Sequence, residues 1–414
     1  MTGVRIVHAA DIHLDSPLRG LGGFVKEDIA HQLRHASRQA LKNLVRLTVD
    51  EKAVALVLAG DIYDGDWPDY ATGRFFAEQM DFLNDHGVRV FMAAGNHDAA
   101  SVVTKAVRLP DNVTVLDVDK AETVIEQDLG LAVHGQGFAT RAVTKNLALA
   151  YPDRVHGLVN VGILHTAVSG AEGHDTYAPC DPSDLLKPKY EYFALGHVHQ
   201  RRVVNDGQWV AAFSGNLQGR HANETGPKGA LVVDLDRDEP ANPRFVALDV
   251  ARWERIEVDA SGHGTFDEVL DAVEMSLADA RVAAQGRPLV TRVTVTGTTR
   301  AAGALSDRER LVEEVRASGV RKGVTVEKAV SHARMPRADD RADDRLIEAV
   351  LRRAEDLGHD SPLVDRLTAP LKRDFGRVLR KDSPLDLNDP VVLERIIAAA
   401  MNGLVAKMTI GEDR

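Results

Sequence analysis

The sequence has little of three features that many proteins depend on: cysteine, net positive charge and long apolar runs. Cys180 is the only cysteine in 414 residues, which excludes an internal disulfide and a zinc site built from several thiolates. The formal net charge is −11, so no overall positive field attracts the chain to nucleic acid or to an anionic membrane. No apolar run reaches the roughly 18 residues that a membrane-spanning helix needs. We therefore expect a protein of the reducing cytoplasm, without membrane contact, that binds any polyanion through local groups.

The beginning of the chain also lacks a secretory signal. His8, Asp11 and His13 lie where such a signal has an unbroken apolar core, so we expect no export. Apolar residues make up 44% and charged residues 27% of the chain, as in ordinary globular proteins. At roughly 100 to 200 residues per domain, the length predicts two or three domains.

Short apolar runs alternate with helical patterns in the first half of the chain. The runs that predict buried strands are residues 4–10, 54–59, 88–94, 159–164 and 190–195. Residues 28–51 and 71–86 have helical spacing. The alternation predicts an α/β (α+β) fold whose mixed sheet is covered on both faces, within a domain of residues 1–250. Short strands at 209–213 and 229–235 predict a second sheet after residue 190.

The pattern changes near residue 250. A β-α-β-α-β pattern predicts a small separate domain over residues 251–330. Residues 331–345 contain two Asp-Asp pairs and predict a solvated linker. Residues 346–414 predict a helical C-terminal region, whose last helix carries an apolar stripe: Val391, Val392, Leu393, Ile396, Ile397 and Leu404. Such a stripe is typical either of a core helix or of a helix that binds a partner.

Each predicted strand is followed by side chains that bind metals or transfer protons. In chain order they are Asp11, His13, Asp61, Asn96, His97, His165, His197 and His199. Ligands of α/β sheets bind beyond the carboxyl ends of the strands, so we expect these residues to line one cleft. The isolated histidines His8, His134 and His221 are interpreted as structural. Asp64 and Asp98 are interpreted as turn or helix-cap residues.

The strand-end residues other than His97 form a mixed oxygen and nitrogen ligand set. Such a set suits Mn²⁺, Fe²⁺ or Zn²⁺ better than Mg²⁺ or Ca²⁺. Seven ligands are too many for one ion that must keep an open position. They suit two divalent ions roughly 3.5 to 4 Å apart, which clamp the attacking and leaving oxygens of a phosphoryl group. Asp61 is the candidate for the bridging carboxylate.

Taken in order, five motifs resemble the signature of the calcineurin-like metallophosphoesterases: Asp11-x-His13, Gly60-Asp61, Gly95-Asn96-His97-Asp98, His165 and Gly196-His197-x-His199. The resemblance implies a β-sandwich flanked by helices. It also implies one metal held by Asp11, His13, Asp61 and His199 and a second held by Asp61, Asn96, His165 and His197. His97 is then the catalytic residue, as proton donor or stabiliser of the leaving group. Mn²⁺ is the expected metal, with Fe²⁺ or Zn²⁺ as alternatives.

Residues 8–17 and 192–199 further resemble the DNA repair exonuclease branch of this superfamily, the SbcD/YhaO-like nuclease subunits. The loop from Gly219 to Gly229 is most similar to the YhaO type. The branch implies a β-α-β-α-β capping domain, a helical C-terminal region and an SbcC-like coiled-coil ATPase as partner. One residue departs from the pattern: archaeal and eukaryotic repair nucleases have a histidine at the third position after the second motif's aspartate, and this chain has Asp64.

The leading hypothesis is a two-metal DNA exonuclease subunit that hydrolyses phosphodiester bonds in repair. A small-molecule phosphodiesterase or phosphatase on the same scaffold is one alternative, which the long extension after Arg252 argues against. A non-catalytic, metal-stabilised scaffold for an ATPase partner is another, although a purely structural site needs no open coordination position. Exonuclease or endonuclease preference, strand polarity and a homodimeric state stay open. The basic stretch of residues 366–381 is interpreted as a solvated helix face, with a phosphate-contacting patch as the alternative.

Overall fold

The computed structural model describes residues 3–16, 27–64, 70–100, 107–168 and 177–336, with isolated positions beyond 365. The chain divides into two compact units. The first ends at Glu254 and includes Gly286–Val290, and the second contains Arg255–Gln285 and continues from Thr291.

Two sheets of six strands each form the first unit. The strands are β1 Gly3–Ala9, β2 Ala55–Leu58, β3 Arg89–Met92, β4 Val113–Val115, β5 Glu122–Glu126, β6 Leu131–Gln136, β7 Val159–His165, β8 Tyr192–Gly196, β9 Arg202–Asp206, β10 Val210–Phe213, β11 Gly229–Asp236 and β12 Asn242–Ala247. Their order is β12-β11-β1-β2-β3-β4 in one sheet and β5-β6-β7-β8-β10-β9 in the other. Strands β1 to β4 are parallel, whereas β11 is antiparallel to β1.

The two sheets pack face to face, which makes the first unit a β-sandwich. Ile6 and Val57 of one sheet and Val161 and Tyr192 of the other belong to one buried hydrophobic cluster. Because side chains alternate along a strand, Val7 points to the opposite face. There it joins a second cluster with residues of the covering helices.

The helices of the first unit are α1 Glu27–Arg34, α2 Ala36–Asp50, α3 Tyr70–Asp85 and the short helices α4 Asn96–Ala100 and α5 Pro182–Leu186. Leu185 of α5 packs with β7 and β8, whereas α2 and α3 cover the outer face of the β1-containing sheet. Leu41 and Leu44 of α2 and Phe76 of α3 are fully buried against the sheet. The predicted α/β (α+β) fold, a β-sandwich flanked by helices, is confirmed.

The prediction of one principal sheet is wrong in its strand assignment. Strands β7 and β8 belong to the sheet opposite β1 to β3, and β11 belongs to the sheet of β1. The physical reason is that strands of both sheets are buried on both faces: every residue of β2, β7 and β8 is buried. Their apolar runs therefore look alike and carry no information about which strands pair.

The second unit is built on a three-stranded sheet of order β13-β14-β15, with β13 Arg252–Asp259, β14 Leu289–Thr296 and β15 Thr325–Ser331. Helices α6 Phe266–Ala283, α7 Ala302–Leu305 and α8 Arg308–Lys322 connect the strands. The elements follow the predicted β-α-β-α-β order, with α7 as an added short helix.

Residues just after β15 remain attached to this sheet. The N–H of His332 donates to the carbonyl of Val295 at 2.7 Å, and that of Arg334 donates to Gly297 at 2.8 Å. The rest of the predicted linker, residues 337–345, lies outside the described residues, as does nearly all of the C-terminal region with its basic stretch and apolar stripe. The predicted domain boundaries stay predictions. In the described part of the chain, no helix has the length and apolar character to cross a membrane.

Candidate metal centre

The loops that follow β1 and β2 run side by side and bring the first two motifs together. The N–H of Asp11 donates to the carbonyl of Gly60 at 3.0 Å, and that of His13 donates to Asp61 at 3.0 Å. These bonds extend the parallel pairing of β1 with β2 beyond the strand ends. These bonds place three candidate metal ligands, Asp11, His13 and Asp61, at one edge of the sheet.

Two motif glycines allow the loops to approach closely. A Cβ on Gly95 would lie 2.3 Å from Oδ1 of Asp61, and a Cβ on Gly60 would lie 2.5 Å from Nδ1 of His165. Gly60 also has a φ of 91°, which side-chain-bearing residues rarely adopt. Substitution at either glycine would displace a candidate ligand.

One group of side chains converges beside His13. Its Nε2 lies 3.2 Å from Nε2 of His199 and 3.8 Å from Oδ2 of Asp61. Nε2 of His199 lies 4.0 Å from Oδ1 of Asp11. Asp11, His13 and His199 offer ligand atoms that all lie within 4.8 Å of one another, a spacing that fits one bound ion.

A second group converges on the other side of Asp61. Its Oδ2 lies 3.5 Å from Nε2 of His165, and that nitrogen lies 3.0 Å from Oδ1 of Asn96. Asp11, Asp61 and His165 offer ligand atoms within 4.8 Å of one another. Asp61 therefore lies between two clusters of ligand atoms, as a bridging carboxylate would.

His197 lies at the same centre but in a different relation to it. Its ring centroid is 5.2 Å from that of His165, and its backbone N–H lies 3.1 Å from both carboxylate oxygens of Asp11. The candidate metal groups found among the described residues do not include its side chain. The structure thus brings all the predicted ligands to one centre, with His197 beside His165.

Burial gives this centre the electrostatics of a cation site. Asp11, His13, Asp61 and His165 are almost fully buried. Burial, and then the nearby charge of Asp61, raises the pKa of Asp11 well above its usual value. Burial lowers the pKa of His165 to about 3 and that of His13 well below its usual value. Buried carboxylates beside neutral imidazoles are costly without a positive charge, so this donor set fits divalent ions.

Two of the histidines are held by their other ring nitrogen. Nδ1 of His165 donates to the carbonyl of Ala59 at 2.9 Å, and Nδ1 of His199 lies 2.7 Å from Oε1 of Glu224. In both residues Nε2 is therefore the nitrogen that faces the centre, as is usual for histidines that bind metals. Burial opposes ionisation of Glu224, but the hydrogen bond from His199 and the charge of Arg220 keep its pKa below the usual value.

His97 lies at the edge of the centre and pairs with Asp64. Nδ1 of His97 is 2.9 Å from Oδ1 of Asp64, and the Ser16 hydroxyl donates to the other Asp64 oxygen at 2.6 Å. The bond to Asp64 raises the pKa of His97 and lowers that of Asp64 to about 2. The ring of His97 lies 4.9 Å from that of His13, centroid to centroid. Asp64 thus holds His97 at the edge of the centre, where one ring nitrogen also lies within 4.8 Å of ligand atoms of His13 and Asp61.

Asp98 ties two of the motif loops together. Its carboxylate accepts hydrogen bonds from the backbone N–H groups of Ile62, Tyr63 and Gly95, at 2.9 to 3.0 Å. Burial, and then the nearby charge of Asp61, raises its pKa to about 7. These contacts agree with the interpretation of Asp98 as a turn residue.

The sequence interpretation missed three contacts of this site: that of Asp64 with His97, and those of Glu224 and Arg220 with His199. Glu224 and Arg220 belong to the loop from Gly219 to Gly229, for which the sequence indicated only a family resemblance. No local spacing connects this loop to His199; a charged pair within a glycine-rich loop was the one available signal. His8 and His134 instead lie in the core, where Tyr192 and Asn160 respectively contact them.

Comparison with known proteins gives these features a family context. A model described as calcineurin-like phosphoesterase matches residues 4–201. A model described as the middle domain of the metallophosphoesterase YhaO matches residues 253–334. The resemblance of the motifs to calcineurin-like metallophosphoesterases and to YhaO-like proteins is therefore confirmed.

Three relatives each match well over half of the chain. An uncharacterized metallophosphoesterase YhaO of Bacillus subtilis is 29% identical over 72% of this chain and 73% of its own length. A DNA double-strand break repair protein Mre11 of Methanocaldococcus jannaschii is 22% identical over 66% of this chain and 73% of its own. The SbcD component of the nuclease SbcCD of Bacillus subtilis is 23% identical over 68% of this chain and 80% of its own.

Proposed function

Since residues 4–201 form a calcineurin-like phosphoesterase domain, we propose that this metallophosphoesterase is the two-metal-dependent DNA exonuclease subunit of a repair nuclease. The observation that carries the proposal is the position of Asp61. Its Oδ2 lies 3.8 Å from Nε2 of His13 and 3.5 Å from Nε2 of His165. A carboxylate between two imidazoles of separate ligand clusters suits a pair of ions rather than a single one. The similarity to Mre11 and to SbcD supports DNA as the substrate.

The proposed ligands divide between two ions. Asp11, His13, Asp61 and His199 hold the first, and Asp61, Asn96, His165 and His197 hold the second. Mn²⁺ is the proposed metal because the set mixes carboxylate, amide and imidazole, and Fe²⁺ or Zn²⁺ would suit it as well. When bound, the ions supply positive charge to the phosphoryl oxygens and an activated water.

His97 is the proposed proton donor to the leaving oxygen. Asp64 binds its Nδ1, so the ring is fixed and Nε2 is the nitrogen that would donate. The backbone N–H of His97 donates to Oδ1 of Asp61 at 2.9 Å, which fixes the main chain of the same residue to the bridging carboxylate. These two bonds fix the position of His97 relative to the proposed metal ligands, as general acid catalysis requires.

Cleavage of end-labelled duplex DNA, with a small chromogenic phosphodiester assayed in parallel, tests this function. The proposal predicts metal-dependent shortening of the DNA from its ends. Hydrolysis of the small diester without DNA cleavage would favour a small-molecule phosphodiesterase. Metal binding without either activity would favour a non-catalytic scaffold.

The proposed partner is an SbcC-like coiled-coil ATPase that binds residues 346–408, nearly all of which lie outside the described residues. With a net charge of −11, the isolated chain is expected to bind DNA weakly, so that a complex with the ATPase is what engages duplex DNA. A chain that ends at Pro336 retains the bonds of His332 and Arg334. It should keep small-diester hydrolysis but fail to co-purify with the ATPase, and full-strength binding by the truncated chain would contradict the proposal.

A further inference from the structure

Arg220 occupies the side of the metal centre between His199 and the His97–Asp64 pair. Its Nη2 lies 3.3 Å from Oε1 of Glu224 and 3.4 Å from Nδ1 of His199. Its Nη1 lies 4.0 Å from Oδ2 of Asp64. The guanidinium therefore extends from Nδ1 of His199, the ring nitrogen that faces away from the centre, to the carboxylate of Asp64. That carboxylate also binds His97, the proposed proton donor.

Part of the hydrogen-bonding capacity of Arg220 is unused within the described chain. A guanidinium has five N–H donors. Nη2 contacts Glu224, but Nη1 is beyond hydrogen-bonding distance from Asp64 and Nε has no partner. The side chain is 21% exposed. Because Nε is itself buried, Nη1 is the donor that remains for a ligand.

The ion pair with Glu224 uses only one terminal nitrogen of this arginine, Nη2. The carboxylate of Glu224 already accepts a hydrogen bond from the backbone N–H of Arg220 at 2.7 Å and one from Nδ2 of Asn216 at 2.9 Å, and it contacts His199. These contacts satisfy a side chain that is 6% exposed. Glu224 therefore needs no further hydrogen bond from Nη1, and the ion pair through Nη2 holds the guanidinium in place.

We propose that Arg220 binds a non-bridging oxygen of the phosphate that is hydrolysed, which makes it a further catalytic residue. The inference rests on the proposed phosphodiesterase function. The reacting phosphate must lie between the metal ligands, of which His199 is one, and the proton donor His97, and Arg220 spans these two. A planar, permanently charged guanidinium matches phosphate oxygens better than the point charge of a lysine does.

Binding of inorganic phosphate to the Mn²⁺-loaded full-length protein, measured by calorimetry, tests the inference. We compare Arg220→Ala and Arg220→Lys with Arg89→Gln. Arg89 makes a 2.7 Å ion pair with Glu126 at the start of β3, the end of the strand remote from the site, so Arg89→Gln removes the same charge elsewhere. We expect the phosphate dissociation constant to rise roughly 10- to 100-fold in Arg220→Ala, as for loss of a charged hydrogen bond. Arg220→Lys should be intermediate and Arg89→Gln unchanged.

Two further measurements separate substrate binding from a structural role. Metal content by elemental analysis should stay the same in all variants, because Arg220 is not a proposed ligand. The kcat/KM for the small diester should fall roughly 10²- to 10³-fold in Arg220→Ala, as for loss of a donor that stabilises transition-state charge.

Three results would each overturn the inference: loss of a metal ion from Arg220→Ala, phosphate affinity of Arg220→Ala equal to that of Arg89→Gln, or no phosphate binding by the parent protein. The protein could also bind phosphate through Arg220 but cleave no DNA. That result would support the inference about Arg220 and contradict only the DNA nuclease proposal.

Discussion

The loops of the metal centre and the second unit differ in how their backbones are built. Asp11, His13, Asp61 and His197 have φ angles of 51°, 43°, 54° and 100°, a region that residues with side chains rarely occupy. Among the described residues of the second unit, Gln285 after α6 is the one non-glycine residue with positive φ. Unfavourable backbone geometry and buried charge therefore coincide at the proposed metal ligands, as is common at functional sites.

The second unit instead follows the local rules of helix formation. Thr265 and Glu268 form a capping box at the start of α6, and Asp307 caps α8, which ends at Gly323 with a φ of 67°. Such signals are contained in the sequence near each helix end. This difference indicates that the second unit is specified largely by local sequence, whereas the metal centre depends on contacts between distant loops.

The largest effect is expected where the centre depends most on those contacts. Asp61→Ala or His197→Ala should abolish metal-dependent hydrolysis of the small diester with the fold intact, because a two-metal site does not survive loss of a ligand. Activity and circular dichroism are measured beside Asp128→Ala, which removes an exposed carboxylate. Near-normal turnover with Mn²⁺ in either variant would contradict the ligand assignment.

A smaller effect is expected for the proton donor at the edge of the centre. His97→Ala should bind both metal ions but lose about 10²- to 10⁴-fold in kcat, the range for general acid catalysis. Elemental analysis and steady-state kinetics check both statements, with the exposed His86→Ala as control. If the His97 variant lacks an ion, the residue is a ligand and the role assigned to it is wrong.

An intermediate effect is expected for Glu224, which contacts His199 but is not itself a proposed metal ligand. Glu224→Gln should weaken Mn²⁺ binding roughly 10- to 100-fold, as expected when the carboxylate behind a metal-binding histidine is lost. Titration with Mn²⁺ measures this, and Glu126→Gln, at the Arg89 ion pair, serves as control. Equal Mn²⁺ affinity in the two variants would show that Glu224 does not position His199.

The smallest effect is expected in the second unit. Thr265→Ala removes the side chain that accepts the N–H of Glu268 at 3.3 Å and should lower the free energy of unfolding by about 1 kcal/mol. Denaturant unfolding, followed by circular dichroism, measures the loss. Hydrolysis of the small diester should not change, and a large fall in turnover would mean that the two regions are not as different as their backbones indicate.

The sequence predicted much of the fold because the signals were local. Continuous apolar runs identified β1, β3 and β7, and the β-α-β-α-β pattern identified α6 and α8. Strands β4, β5, β6, β9 and β12 were missed. Strand β5, Glu122–Glu126, is largely polar, and β6 contains His134, whose polar atoms are matched by Thr123 and Asn160. Such distant partners cannot be recognised from a pattern along the chain.

The candidate site was predictable to a similar degree. The motifs that follow the strands identified the side chains that the structure brings together. The assignment of these side chains to two ions stays a prediction. Contacts made by Asp64, Arg220 and Glu224 were not predictable, because each depends on where a loop lies after folding. Asp64 shows this clearly: its neighbours along the chain indicate a turn, while its carboxylate contacts His97.

Anomalous diffraction from crystals grown with Mn²⁺ tests the central claim, two ions that share Asp61, most directly. We expect two peaks roughly 3.5 to 4 Å apart, one beside His13 and His199 and the other beside Asn96 and His165, with the Asp61 carboxylate between them. A single fully occupied peak under saturating Mn²⁺, or two peaks without Asp61 between them, would contradict the account.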